Sequence, residues 1–250
     1  MDILVCVKRV PSTTARVVIQ EGKRLDPSGV EFVLNPYDEY AVEEALQQRD
    51  ASGGGTVTVI CFGPAEAQKE LRTVLAMGAD AAVLLQNDHA NECDGATTAR
   101  ILAAAIQGRP CDLLLFGKQA VDRDQHGVGP AVATRLGLPC VAEVVKLAIA
   151  DGKVQAEREV EGGHELVEAP LPCAITAQKG LNEPRYANLK GIMAAKKKPL
   201  EIVPVEIGAP LVEVMAMTPP PERPAGRIVG EGPDAVAELV RLLKEEAKVL

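Results

Sequence analysis

The sequence predicts an α/β fold: a doubly wound, mostly parallel sheet followed by a C-terminal hairpin, an extended arm and a terminal helix. Three observations lead there. Short apolar runs alternate with helical stretches of roughly 10–15 residues, the pattern of βαβ units. Two of the apolar runs end alike, in Phe62-Gly63-Pro64 and Phe116-Gly117-Lys118. Aromatic residues make up 2% and Trp is absent, so the core must be assembled from Ala, Val, Leu and Ile.

The elements follow in order. "ILVCVKRV" before Pro11 is a short apolar run that reads as a buried strand. Residues 12–34 alternate and turn, an excursion of short strands. "NPYDEYAVEEALQQRD" opens a helix: Asn35 can cap it, Pro36 suits the first turn, and Asp38 and Glu39 suit the positive end of the dipole. "GGGTVTVICFG" is a loop and then a strand, and "AEAQKELRTVLAMGA" is a helix closed by Gly78. "AAVLLQ" is a strand, "DGATTARILAAAIQ" a helix, "CDLLLFG" a strand and "GVGPAVATRLGLP" a helix, followed by the strand "CVAEVVKLAI". The pattern then changes. "KVQAEREVEGGHELVEAPLPCAIT" alternates with period two around Gly162-Gly163, which signals a hairpin over residues 151–176.

Parallel strands with right-handed crossovers put the two glycine turns on the carboxyl edge of one sheet, where Cys6-Val7-Lys8 also ends. Open α/β sheets bind ligands at that edge. Residues 1–205 therefore read as a nucleotide-binding domain. From Glu206 onward a proline-rich arm ("TPPPERPAG") leads to "PDAVAELVRLLKEEAKVL", a helix with Val236, Leu239, Val240, Leu243 and Ala247 on one face. Such an arm either reaches over another subunit or folds back on its own domain.

Bulk chemistry excludes several functions. The formal charge is −8, which argues against a nucleic-acid binder. No apolar run reaches the ~18 residues of a membrane span, and Met1–Val10 reads as a first strand rather than a signal peptide. The six cysteines form no CxxC and sit in or beside apolar runs, as expected of free thiols in a reducing cytoplasm. The three histidines lie at no metal-ligand spacing to a cysteine, so no metal site is expected.

"GKQAVDRDQHGVGP", residues 117–130, carries the chemistry. Gly117, Gly127 and Gly129 follow a strand and open a helix, where backbone N–H groups can hold phosphate. Lys118 is followed by Gln119, so this is no Walker loop. Read alone, it is either a phosphate loop or a plain strand–helix turn. "SGGGT" at 52–56 precedes its strand and reads as a surface loop. No catalytic constellation appears: His126 has no local nucleophile, His89 and His164 lie in loop or turn, and Asp122 and Asp124 suit capping or ribose hydroxyls better than acid–base work.

"LNEPRYANLKGIMAAKKKP", residues 181–199, is a basic stretch in an acidic chain. Between Ala177 and Pro199 six basic residues stand against one acid. Leu189, Ile192 and Met193 fall at i, i+3 and i+4, so a helix there shows one apolar stripe. Gly191 keeps it short. Flanking Lys190, Lys196, Lys197 and Lys198 suit either a solvated surface or a docking handle.

This stretch, with the preceding "EREVEGGHELVEAPLPCAITA", resembles the signature region of the electron transfer flavoprotein beta subunit. "VCVKRVP", "NPYDEYAVEEAL", "FGPAEAQKELRTVLAMGAD" and "GKQAVDRD" match in the same order, so the resemblance covers nearly the whole chain. Ala174 departs, standing where the family has a larger aliphatic. The resemblance implies a Rossmann-like, adenine-nucleotide-binding fold and a heterodimer with an alpha subunit, whose redox-active FAD the beta subunit helps to wall in. It implies a second nucleotide in beta, AMP, at Cys6, Asn35, Pro36, Tyr37, Asp38, Phe62, Gly117, Lys118, Gln119, Ala120, Val121, Asp122, Arg123, Asp124, Gln125, His126, Gly127 and Val128. Tyr37 matches the aromatic that approaches the flavin. Glu159 matches a carboxylate that pairs with an arginine of the mobile flavin domain. Leu189 matches the anchor of the loop that docks on partners, and Ile192, Met193 and Lys196–Lys198 extend it. Acyl-CoA or other flavin dehydrogenases would donate electrons and a quinone oxidoreductase would receive them, as in fatty acid oxidation. In an electron-bifurcating branch a second FAD, reduced through NADH, replaces AMP. "VGP" at 128–130 resembles that branch, whereas Arg123, Gln125, His126 and Gly127 depart from it.

Overall fold

The computed structural model describes residues 1–222 and 225–250, and Arg223 and Pro224 of the proline-rich arm lie outside it. The elements run β1 (Asp2–Val7), β2 (Arg9–Pro11), β3 (Ile19–Gln20), β4 (Arg24–Leu25), β5 (Phe32–Leu34), α1 (Pro36–Ala51), β6 (Thr56–Gly63), α2 (Gln68–Met77), β7 (Ala81–Gln86), α3 (Gly95–Ile106), β8 (Leu113–Gly117) and α4 (Val128–Leu136). They continue with β9 (Cys140–Ala150), β10 (Lys153–Val160), β11 (Gly163–Pro170), β12 (Cys173–Ala177), α5 (Leu189–Ala195), β13 (Leu200–Pro204) and α6 (Val236–Glu245).

A nine-stranded sheet runs β11-β10-β9-β12-β8-β1-β6-β7-β13. The strands from β9 to β13 in that order are parallel, while β10 and β11 are antiparallel additions. Successive residues of β1 face opposite layers. Ile3, Val5 and Val7 pack with Ala41, Val42, Leu46, Leu71 and Leu75 of α1 and α2. Leu4 and Cys6 pack with Ile101, Leu102, Val132 and Ala133 of α3 and α4. Strands buried on both faces need continuous apolar runs, and that is how they read in sequence.

Two readings need correction. The alternating stretch at 153–176 is not all hairpin: β10 and β11 pair across Glu161-Gly162, but Cys173–Ala177 forms a separate strand between β8 and β9. Its residues are all buried, so period two there was the tail of one element running into a fully apolar other. β13 was not foreseen; it joins β7 in parallel, Leu200 opposite Ala82.

The chain divides into two compact units, Met1–Ala216 and Met217–Leu250. Residues 206–216 go with the first, since the backbone N–H groups of Leu211 and Val212 donate to Asp94 at 2.8 and 3.3 Å. Among the described residues no helix is long and apolar enough to cross a membrane.

Candidate functional site

The chain lays β6 and β7 on one side of β1 and then places β8 on the other. Between the carboxyl ends of β1 and β8 the crossover helices leave a crevice, as this winding requires. It holds about 110 Å³ of interior space. Cys6, Val7 and Lys8 form one wall, Phe116 to Ala120 another, and Phe62, Leu102 and Val128 add apolar surface.

Asn35 and Asp38 build the floor. Asn35 stands at the start of α1, but its side chain does not cap the helix. Instead its amide donates to Asp38 Oδ1 at 2.9 Å and to the Gln119 carbonyl at 2.8 Å, and its Oδ1 accepts from Val121 N at 3.1 Å. The expected capping role gives way because the 117–128 loop offers this buried amide two partners, Gln119 and Val121, and Asp38 of α1 a third. Asp38 accepts from Lys8 N at 2.7 Å and Gly117 N at 3.2 Å, joining the ends of β1 and β8. Burial pushes its carboxyl up to about 7, despite the hydrogen bonds from Asn35, Lys8 and Gly117 that favour the anion. Gly117 is required here, since a Cβ would lie 2.4 Å from Asp38 Oδ1.

The 117–128 loop is pinned along its length. Lys8 Nζ reaches Asp122 at 2.6 Å. Arg123 donates to the carbonyls of Cys93, at 2.7 Å, and Asn91. Asp124, at φ 51°, accepts from Gln119. His126 Nδ1 lies 3.5 Å from Glu143 Oε1. Val128 and Gly129 open α4 at the cleft, and Gly127 before them makes no side-chain cap. First-turn N–H groups of α4 therefore remain for an anion. Gly129 also has a packing reason, since a Cβ would meet Thr176 at 2.9 Å and the Phe116 ring at 3.2 Å.

α3 behaves oppositely. Asp94 caps it through Thr97 N at 2.7 Å. Burial alone would raise this carboxyl, but hydrogen bonds from Thr97, Leu211 and Val212 outweigh it and hold it at about 2. The N-terminus of α3 thus carries a fixed negative charge. Beside it a recess of about 350 Å³ opens, sharing Gly95, Arg123 and Gln125 with the cleft and bordered by Val212 and Val214.

Of the residues expected at a nucleotide, the cleft brings together Cys6, Asn35, Asp38, Phe62, Gly117, Lys118, Gln119, Ala120, Arg123, Gln125 and Val128. Pro36, Tyr37, Val121, Asp122, Asp124, His126 and Gly127 do not line it. Tyr37 is half-buried, with Lys118 Nζ 5.3 Å from its ring centre. The turn at 90–93, Gly95, Thr98 and Leu102 were missed. Connectivity carried the signal: β7 ends on the same edge, so the start of α3 must lie there too.

The basic stretch forms a surface elsewhere. α5 is seven residues long, with Leu189 83%, Ile192 46% and Met193 71% exposed. Its back packs so closely on α2 that a Cβ on Gly191 would sit 2.3 Å from the Ala76 carbonyl. Lys190, Lys196 and Lys197 are exposed. Lys198 is not free: its Nζ donates to the carbonyls of Leu75 at 3.0 Å and Ala79 at 2.6 Å, capping α2. Upstream, Arg185 forms a two-pronged pair with Glu43 of α1 at 2.7 and 2.9 Å. Glu159 lies apart on β10 and accepts from Gln178 at 2.8 Å.

Comparison with known proteins agrees across the chain. The family model "Electron transfer flavoprotein domain" matches residues 24–207. The chain is 42% identical to "Electron transfer flavoprotein subunit beta" of Bacillus subtilis (strain 168), covering 100% of both chains. It is 36% identical to the subunit of that name from Bos taurus, over 94% of this chain and 95% of that one. It is 41% identical to "Caffeyl-CoA reductase-Etf complex subunit CarD" of Acetobacterium woodii, over 81% of this chain and 78% of that one.

Proposed function

The chain belongs to the electron transfer flavoprotein beta-subunit family, and from that premise we propose that it pairs with an alpha subunit, binds a structural AMP in its own cleft and docks the dehydrogenases that reduce the shared FAD. The observation that carries the AMP assignment is the contrast between two helix starts in one crevice. α4 offers N–H groups with no side-chain cap, whereas α3 is closed by the Asp94 carboxylate. A phosphate is favoured at α4 and repelled at α3. Phe62, Leu102 and Phe116 supply an apolar wall of the kind an adenine needs, and Gln119, Gln125 and Lys118 supply polar contacts. FAD supplies the electron-carrying chemistry when bound between the subunits. This chain contributes Tyr37 towards it, steadied by Lys118, and Glu159 towards the mobile flavin domain. Electrons would come from acyl-CoA or other flavin dehydrogenases and pass to a quinone oxidoreductase.

A second reading has one specific support. The recess beyond Gly95, Arg123 and Gln125 continues the cleft and gives a dinucleotide room to extend. A second FAD in place of AMP would make the protein an electron-bifurcating subunit served by NADH. The discriminating experiment is to purify the chain with its alpha subunit, release the bound nucleotides and quantify them. One FAD and one AMP per heterodimer supports the first reading, two FAD the second, and no nucleotide beyond one FAD overturns the assignment of the cleft.

A further inference from the structure

We propose that Glu43 is a positioning residue for partner docking: its carboxylate grips Arg185 and fixes the orientation in which α5 presents Leu189, Ile192 and Met193. The inference rests on the docking reading of that face.

Glu43 and Glu44 are adjacent acids in the middle of α1, each only 3% exposed. Carboxylates are rarely buried without a partner. Neither lines the nucleotide cleft, so the cleft does not account for them. Both turn instead to the segment before α5. Arg185 Nε and Nη2 donate to the two oxygens of Glu43 at 2.7 and 2.9 Å, and Arg185 N donates at 3.2 Å. Asn182 Nδ2 donates to Glu44 at 2.9 Å and to the Tyr40 carbonyl at 3.0 Å. Gln47 and Gln48 complete the two carboxylates at 2.8 and 2.7 Å.

These ties matter because residues 181–188 have no helix or strand of their own. Leu181 and Ala187 of this segment pack against the core, and the α1 anchors are its side-chain polar ties on the way into α5. Arg185 is followed after two residues by Asn188, which caps α5 by accepting from Gly191 N at 2.8 Å. Leu189 comes next. A two-pronged arginine–carboxylate pair fixes direction as well as distance, which a single lysine contact does not. A seven-residue helix is too short to hold itself: Arg72 fixes its far end, donating to the Ala195 and Lys198 carbonyls at 2.6 and 2.9 Å, and the Glu43–Arg185 pair fixes the end at which Leu189 stands.

The test uses the heterodimer carrying Glu43→Gln or Arg185→Lys, with Leu189→Ala as reference. Flavin reduction by a substrate-loaded acyl-CoA dehydrogenase is followed against carrier concentration, alongside reduction by dithionite. Both mount variants should raise the half-saturating concentration about tenfold, with flavin content and dithionite reduction unchanged. If Leu189→Ala raises it and neither mount variant does, the positioning role is overturned. If Leu189→Ala also has no effect, the docking reading itself fails. Should Glu43→Gln lose flavin or unfold, Arg185→Lys decides alone, because the Arg185 side chain is 40% exposed and its replacement leaves α1 intact.

Discussion

Asn35 and Asp38 are joined by an amide-to-carboxylate hydrogen bond of 2.9 Å with both side chains out of solvent. Through this pair the ends of β1, β8 and the 117–128 loop are held by the first turn of one helix. Each acceptor oxygen of Asp38 already faces a donor, so the site tolerates no rotation.

That geometry gives a pH dependence. The folded carboxyl titrates at about 7, above its ordinary 3.8, so folding takes up a proton there. The stabilising contribution is full below about pH 4 and is lost as pH rises through about 7. The stability of the wild type relative to Asp38→Asn should therefore fall by up to ~4 kcal/mol across that range. Urea unfolding of both proteins from pH 4 to 8 measures it. A difference that stays flat sinks the claim that Asp38 is the titrating group.

Glycines in the loop should separate by what a side chain would meet. Gly117→Ala puts a methyl 2.4 Å from Asp38 and 2.7 Å from the Tyr37 backbone. It should cost about 1–3 kcal/mol and release the cleft nucleotide. Gly127 has nothing within 4 Å of the added carbon, and Gly127→Ala should stay within about 0.5 kcal/mol. Thermal melts and nucleotide content distinguish them. Equal effects at the two positions would refute the close-approach account of Gly117.

The lysine run should split in the same manner. Lys198→Ala leaves the carbonyls of Leu75 and Ala79 without their donor and should cost about 1 kcal/mol. Lys196→Ala and Lys197→Ala should leave stability alone, slow association with the dehydrogenase and flatten its salt dependence. Stopped-flow reduction at several ionic strengths reads this. If Lys198→Ala proves stability-neutral, the cap is wrong.

The parallel core was legible because a strand covered on both faces has to be mostly apolar, and β1, β6, β7 and β8 are. The carboxyl-edge cleft followed from connectivity alone. What stayed hidden depended on side-chain direction. Nothing in "NPYD" says that Asn35, besides bonding Asp38 in its own helix, reaches across to the 117–128 loop. Nothing in "KKKP" says that the third lysine folds back onto α2 while the first two face solvent. Cys173–Ala177 was absorbed into the hairpin because its register on β8 is a long-range fact with no local marker.

The last prediction concerns where the C-terminal segment can be removed. The sequence puts the boundary between Val205 and Glu206, but the Asp94 carboxylate that caps α3 also holds Leu211 and Val212. Cutting there would strip two donors from a buried acid beside the cleft and confuse loss of assembly with local damage. The compact unit closes at Ala216. Beyond it, α6 keeps Val236 55%, Leu239 43% and Val240 47% exposed, while Arg241 ties Glu238 and Glu245 together at 2.7 and 2.8 Å. A ten-residue helix with an uncovered apolar face is marginal by itself in water. If this segment reaches over the alpha subunit rather than back on its own domain, covering that face removes the cost and adds buried area to the heterodimer. The chain ending at Ala216 should therefore fold, with the melting temperature of its sheet domain preserved, yet associate with alpha at least about tenfold more weakly. Circular dichroism gives the first quantity and titration of alpha the second. A truncated chain that forms the flavin-loaded heterodimer at full affinity would show that residues 217–250 do not grip the partner.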